Sequence, residues 1–497
     1  MAVETGLLNA TVTGIVTGSI IALGAIGLAL VYDIAEVPNF AHGDMLTFGA
    51  YTALLVNKPG SVPVFELLST GPRQVGTAGG AFLFLVSVVS VLGIVYNLGG
   101  RAALEGGWWG IDVPPAVGLG VHGLLALAVG GLVVAGVPSF LSALLFAVVV
   151  LGATVPLMES LVFRKFREKD VEVAMMLIAS LAVAFILRFG IQTIFGGAIR
   201  FYEVDASVPF AGGSLDITLS KFFDFFLAGD GLILSIQETR GAESAKLLVL
   251  GYSWIELLAV VAVAAGVGYL AYKRREGTAA VVGPRLAAAF GGLGVVLLGG
   301  TLFGGGGSVP EAPLYATRVG ASPLRVGVFL LALVMMGGLH YLLRATTLGK
   351  AMRATSDNRD LAMVRGINTR RVMMSVWIIS GLFAAVAGVL LGFLFSNITI
   401  NLGFYLLLPM FAGVILGGIS VYGAIVGSYV VGLAMEIGIF AIPGLSATYR
   451  VPVAFVILLL VLLVKPEGIT GELTWRSLTS SSRSWCSCPS TPSSPTG

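Results

Sequence analysis

The chain has 497 residues, of which 57% are hydrophobic and only 11% charged, with a formal net charge of +3. A water-soluble protein needs about a quarter of its residues charged to coat its surface, so this composition excludes a soluble globular fold. The +3 itself says little, because membrane proteins carry their basic excess in cytoplasmic loops.

Apolar runs near twenty residues, the length that crosses about 30 Å of hydrocarbon, recur along the whole sequence. They are too long and continuous for barrel strands. The fold class is therefore all-α: a polytopic transmembrane helical bundle with about 10–13 membrane segments. The opening "MAVETG" has no basic stretch, and the first run, 7–32, is too long for a signal-peptide core. It reads as a retained first helix. Further spans are expected over 40–56, 78–98, 117–137, 141–163, 173–195, 248–272, 286–303, 325–343, 372–395, 404–419, 423–440 and 451–464. The shorter ones are candidates for re-entrant segments.

Three basic stretches, "FRKFREKD" at 163–170, "YKRRE" at 272–276 and the long 344–371, set the orientation as cytoplasmic. Spans fall in pairs between them, which places 196–246 and 304–323 outside. Upstream of Phe163 the parity depends on whether "NFAHG" belongs to a complete crossing. Residues 1–470 read as one transmembrane domain with accessory insertions at about 58–138 and 210–311. The second insertion carries the 248–303 hairpin, which restores the original side and is expected at the periphery. Residues 471–497 read as a disordered Ser/Pro-rich tail or as a stretch not native to the protein. Cys486 and Cys488 lie in it, too few for a disulfide framework and without the nearby His that a metal site needs.

No soluble catalytic module is present. "TLGKAM" has Gly349-Lys350 but Ala351 where a phosphate loop needs a hydroxyl. His42, His122 and His340 are the only histidines and lie in unrelated segments, which argues against a zinc site. No metal, cofactor or catalytic residue is expected.

The longest polar stretch, 344–371, lies between two apolar helices. A short helix is expected over 357–365, with Asp357 and Asp360 favouring its N-terminus and Gly366 as a stop. Leu361 and Val364 then share one face, suited to an apolar groove on a partner. The plain alternative is an ordinary basic loop.

"EVPNFAHGDM", residues 36–45, breaks the apolar pattern early. Pro38–Gly43 is either a solvated cytoplasmic turn or an interfacial break lining a path for polar solutes, since such groups at membrane depth need a cavity or protein partners. On the second reading Asn39, Phe40, His42 and Gly43 are path residues. Late in the chain Pro409, Gly413, Gly417 and Gly418 interrupt another apolar run, where small residues more often serve close helix packing. Glu436 sits inside "VVGLAMEIGIF" and is a further path candidate, with Arg450 as its conceivable partner.

Three stretches carry a family resemblance. "LALVYDIAEVPNFAHGDMLTFGAY", "GKAMRATSDNRDLAMVRGINTRRVMMSVWIISGLFAAVAGVLLG" and "AGVILGGISVYGAIVGSYVVGLAMEI" stand in the order found in permease subunits of branched-chain amino acid ABC importers of the LivH type. The sequence resembles that family over about 7–55, 147–202 and 319–470. The resemblance implies an ABC-importer permease fold in a prokaryotic cell membrane, with ATP hydrolysis in separate subunits. Implied partners are a homologous second permease, two cytoplasmic ATPase subunits and an external solute-binding protein, besides membrane lipid and without nucleic acid. It favours the path reading of "NFAHG". It also makes 357–366 the ATPase-coupling segment, a degenerate E-A-A-x-x-x-G in which Asp360, Leu361 and Ala362 stand before Gly366. The implied solute is a branched-chain or similar apolar amino acid. The alternatives are a urea or short-amide importer of the same family, or an ATP-independent secondary transporter or channel; the latter calls for more buried carboxylates than Glu436.

Overall fold

The structure, a computed structural model, describes residues 2–464 apart from 106–113, 170, 204–206, 211–212, 217–220, 230, 241–242, most of 276–314, and 443, 445, 447 and 448. The expected span 286–303 falls largely outside the described residues, as do Cys486, Cys488 and the tail.

Helix α1 (Ala2–Ala35) has 34 residues, roughly 50 Å at 1.5 Å per residue. A short extended stretch leads to α2 (Ala41–Asn57). Then follow a small hairpin of β1 (Ser69–Gly71) and β2 (Gln74–Val75), α3 (Thr77–Gly99), α4 (Arg101–Leu104) and α5 (Pro115–Ala135). Helix α6 (Phe140–Met158) is capped by Ser139, whose Oγ accepts from Ser142 N, and it passes through a π turn at Glu159–Phe163 into α7 (Arg164–Glu168). Helix α8 (Val173–Phe195) closes this half.

The expected parity resolves at α1 and α2. Asn9 Oδ1 accepts from Gly320 N at 2.8 Å at one end of α1, whereas Asp33, at the other end, accepts from Ser356 in the basic 344–371 stretch. Helix α2 returns to the first side, where Asn57 Nδ2 donates to the Glu203 carbonyl at 2.8 Å. The "NFAHG" region therefore belongs to a complete return crossing.

On that outer side the chain forms β3 (Arg200–Phe201), the hairpin β4 (Ser207–Phe210) and β5 (Gly213–Asp216), and a five-stranded antiparallel sheet. Its strands are β6 (Lys221–Ala228), β7 (Gly231–Arg240), β8 (Glu243–Ser253), β9 (Gly305–Gly306) and β10 (Tyr315–Ala321), in the order β10-β6-β7-β8-β9. The expected span 248–272 is corrected here: 248–253 finish β8 and helix α9 (Trp254–Arg275) starts only afterwards. Ser253 and Glu256 set that boundary as a reciprocal cap, Glu256 Oε2 accepting from Ser253 N at 2.9 Å and Ser253 Oγ from Glu256 N at 3.4 Å. The body of the span holds as helix, and α9 is peripheral, with 11% of its apolar window buried. The sheet is tied together by Arg318, which donates twice to Asp224 (2.6 and 3.0 Å).

The second half comprises α10 (Pro323–Ala345), α11 (Thr347–Asp357), α12 (Arg359–Val364), α13 (Thr369–Phe395), β11 (Asn397–Ile398), α14 (Leu402–Leu416), α15 (Val421–Ala441) and α16 (Arg450–Val464). Strand β11 pairs with β3, joining the halves on the outer side. Ser322, Thr346, Asn368 and Ser420 each cap the next helix by accepting a backbone N–H, which satisfies donors that helix starts leave orphaned. The core lies around α1 and α13, whose apolar windows are 89% and 83% buried against 28% for α8 and α10; the outer helices present apolar side chains to lipid. Helices α1 and α15 run antiparallel in close contact where Gly14 and Gly18 meet Leu433, Gly432 and Tyr429. Gly413 and Gly417 likewise face Ser428 and Gly423 with no room for a side chain, the expected packing role. Among the described residues nine helices are long and apolar enough to cross a membrane, with α14 and α16 as shorter apolar helices. The molecule is a polytopic helical bundle of the cell membrane.

Candidate functional site

The break begins where Glu36 N closes α1 on the Tyr32 carbonyl (3.1 Å) and Glu36 takes φ +55°. Val37, Pro38 and Asn39 follow in non-helical backbone, all buried. This segment runs back along α1. His42 Nε2 lies 2.8 Å from the Gly24 carbonyl, to which it donates, and the Phe40 N–H donates to Ser180 Oγ at 3.1 Å. Gly24 stands eleven residues from the end of α1 and Ser180 seven from the start of α8, so α2 starts roughly 10–16 Å inside the basic end of the bundle. Asn39 and His42 are fully buried. A turn in bulk cytoplasmic water is therefore not what this chain forms.

Two polar atoms in the break have no protein partner: Asn39 Oδ1 and His42 Nδ1. Asn39 Nδ2 reaches only the Met45 sulfur at 4.0 Å. A buried acceptor without a partner costs about 1–3 kcal/mol, so such atoms call for an explanation. Gly43 has one of its own: a Cβ there would stand 2.7 Å from the Gly403 carbonyl oxygen. Only glycine lets α2 and α14 meet at this point. Gly403 N also donates to Thr47 Oγ1 at 2.9 Å.

One turn above Phe40, Asp44 is held by Arg188 of α8 through two bonds, 2.9 and 3.0 Å. The guanidinium also lies 4.7 Å from the Phe404 ring. Sequence reasoning read Asp44 only as part of the 36–45 break and passed over Arg188 as part of an apolar span. The signal was available, because a lone arginine inside a span needs a buried partner.

Glu436 is elsewhere. It is 8% exposed and accepts from Thr17 Oγ1 of α1 at 3.3 Å. Arg450 is its partner, with Nε 3.3 Å from Glu436 Oε1. Both lie on a cavity of about 340 Å³ in the outer half of the bundle, together with Thr17, Asn397 and Thr399. The NFAHG residues do not line it. Helix α14 stands between the two: Leu402, Tyr405, Leu406 and Pro409 face the cavity, whereas Gly403 and Leu407 pack on Gly43 and Met410 against Gly24.

At the basic end, the short helix is α12, and its start differs from expectation. Asp357 ends α11, and the cap is Asn358, whose Oδ1 accepts from Leu361 N at 2.9 Å. Asn358 takes extended backbone (φ −162°), which breaks the expected 357–365 helix at its second residue. Asp360 falls in the first turn, where a carboxylate complements the helix dipole. Gly366 has φ +83°; its N–H donates to the Met363 carbonyl and that of Ile367 to the Ala362 carbonyl, both at 3.0 Å. This is a Schellman stop. Ala362 is buried, while Leu361, Met363 and Val364 are 55%, 47% and 83% exposed. Met363 is a further exposed apolar side chain of α12, on a different side from Leu361. Nearby, Arg167 is paired with buried Glu159, and Ser356 Oγ donates to Asp33 Oδ1 at 3.1 Å, tying this layer to α6 and α1.

Among the described residues no cluster of His, Cys, Asp and Glu could hold a metal ion. A broken, partly polar helix inside an apolar bundle, above a short helix with exposed apolar side chains at its basic face, fits the class of membrane permeases. Residues 10–100 and 241–463 match the family described as branched-chain amino acid transport system permease components. The chain belongs to that family. It is 33% identical over 173 residues to the high-affinity branched-chain amino acid transport system permease protein LivH of Escherichia coli, covering 35% of this chain and 54% of that protein. The probable branched-chain amino acid transport permease protein LivH of Methanocaldococcus jannaschii is 33% identical over 160 residues (31% and 50%). The galactose/methyl galactoside import permease protein MglC of Haemophilus influenzae is 32% identical over 104 residues (21% and 30%). The chain spans about half the length of the LivH relatives it matches. No solved structure matches it.

Proposed function

We propose that this chain is the permease of an ATP-driven importer that moves branched-chain or similar apolar amino acids inward. Its partners are a homologous second permease, two cytoplasmic ATPase subunits and an external solute-binding protein. The observation that carries this reading is α12: an amphipathic turn fixed at both ends by Asn358 and Gly366, with Leu361, Met363 and Val364 held out to solvent at the basic face. Three exposed apolar side chains on so short a helix are costly unless a partner covers them. Asn358, Asp360 and Ala362 hold the helix, Asp357 leads into it from the end of α11, and Leu361 and Val364 dock the ATPase. Asn39, Phe40, His42, Gly43 and Glu436 belong to the solute path, supported by the two unpartnered polar atoms in the break and by the cavity at Glu436. Residues 1–470 act as one permease domain, and the segments at about 58–138 and 210–311 are accessory.

The test is to co-purify the chain with its ATPase subunits, reconstitute the complex in liposomes, and follow leucine uptake with ATP enclosed on the ATPase side. Uptake that depends on ATP and on the ATPase supports the reading. Equal uptake without ATP replaces it by a secondary transporter or channel, and ATP-dependent uptake of urea but not leucine replaces the solute.

A further inference from the structure

The Glu436 cavity has a charge arrangement unlike that of Asp44 and Arg188. Asp44 and Arg188 form two aligned bonds, so that pair is closed on itself. Glu436 and Arg450 make a single approach, Nε to Oε1 at 3.3 Å, and that contact lacks hydrogen-bond geometry. One carboxylate and one guanidinium thus face a common space with bonding capacity to spare. Leu391, Leu394, Leu402, Leu406, Met435 and Val451 build a mainly apolar wall, in which Thr17, Asn397, Thr399 and Tyr405 are the polar members. A cavity of about 340 Å³ sits at the lower end of the roughly 300–1,000 Å³ of small-molecule sites.

We infer that this cavity is a receiving site for a zwitterionic α-amino acid with an aliphatic side chain: Glu436 takes the ammonium group, Arg450 the carboxylate, and the leucine-lined wall the side chain. A zwitterion inserted between the pair replaces one ionic contact by two and leaves neither protein charge bare. A simple carboxylic acid or a simple amine matches only one and leaves the other without its partner, which is most costly for Glu436, 8% exposed. Position agrees with this role. The cavity includes Phe395 and Asn397 at the outer end of α13, so a solute arriving from outside meets it before the break at Asn39. Its inner wall is α14, whose opposite face packs on Gly43. This inference rests on the transport reading above and adds the site and its recognition chemistry.

The test uses the purified full chain in lipid nanodiscs and equilibrium dialysis with labelled L-leucine. Competition by 4-methylpentanoate, which lacks the amine, and 3-methylbutylamine, which lacks the carboxylate, requires no mutation. Saturable leucine binding is expected, with both analogues weaker by about a hundredfold. Glu436→Gln and Arg450→Gln are each expected to weaken leucine binding by at least about tenfold. Absence of saturable binding, analogues that compete as well as leucine, or variants that bind as the wild type does would each overturn the assignment. In the liposome assay, ATP-dependent leucine uptake with unchanged half-saturation in both variants would overturn the site and leave the transport reading standing. Absence of ATP-dependent uptake by the wild-type complex would instead remove the transport reading.

Discussion

Asp44→Leu removes one partner of the Asp44–Arg188 pair and leaves the guanidinium in the bundle. Asp44 is 1% exposed and Arg188 15%. Breaking a buried pair from one side costs about 3–5 kcal/mol, most of it the stranded charge rather than the lost bonds. Two features move the expectation to the lower end. Arg188 keeps its place over the Phe404 ring at 4.7 Å, and its partial exposure allows some compensation by water or headgroups. We therefore expect a loss of about 3 kcal/mol. Adding Arg188→Met removes the stranded charge with little change in volume, and the double variant should return to within about 1 kcal/mol of wild type. The assay is chemical denaturation in mixed micelles, carried around the full double-mutant cycle. A single-variant cost below about 0.5 kcal/mol, the behaviour of an exposed pair, with no recovery in the double variant would refute the reasoning.

Leu361→Asp places a charge in the proposed docking face, so the chain should insert normally but fail to co-purify the ATPase; wild-type recovery of the ATPase would exclude α12 as the coupling element. Gly366→Val forces a β-branched residue to φ +83°, costing about 1–2 kcal/mol locally, and the same pull-down should show weakened docking. Asn358→Ala should destabilise α12 by about 0.5–2 kcal/mol and Asp360→Ala by less, as read from amide hydrogen exchange over 359–365; the reverse order would mean that Asp360 is the cap. His42→Leu removes the bond to the Gly24 carbonyl and the free ring nitrogen, so uptake should fall; unchanged uptake would exclude His42 from the path.

Most of the helical order was legible because lipid-facing helices need nothing but length and apolar side chains, as in 173–195, where reading and structure coincide. Helix α12 was legible as to its stop, since Gly366 needs positive φ, but not its start. Asp357, Asn358 and Asp360 are all good caps, and only the backbone at Asn358 decides among them. The outer sheet was missed for a different reason. "KFFDFFLA" in β6 lacks strict alternation, and of its two neighbours only β7 is local, whereas β10 lies about ninety residues away, beyond any local pattern. In the break, sequence pointed to Asn39, His42 and Gly43, but Arg188 and Gly403, which meet Asp44 and Gly43, come from other helices. Composition marks where a helix is interrupted; tertiary contact decides what fills the interruption.

Helix α1 reaches well past the point where α2 begins. Ser356 holds it at Asp33, in the layer that carries α12, and Thr17 touches Glu436 on the outer cavity. Sixteen residues separate those contacts, roughly 24 Å of unbroken helix. A rod of that kind does not shorten or bend cheaply, so it behaves as a lever with a fixed arm. A tilt of about 10° at one end displaces the other by roughly 4 Å, more than the reach of a hydrogen bond. The Thr17–Glu436 and Asp33–Ser356 contacts therefore sit on one continuous helix, so a single stiff element reaches both faces of the bundle.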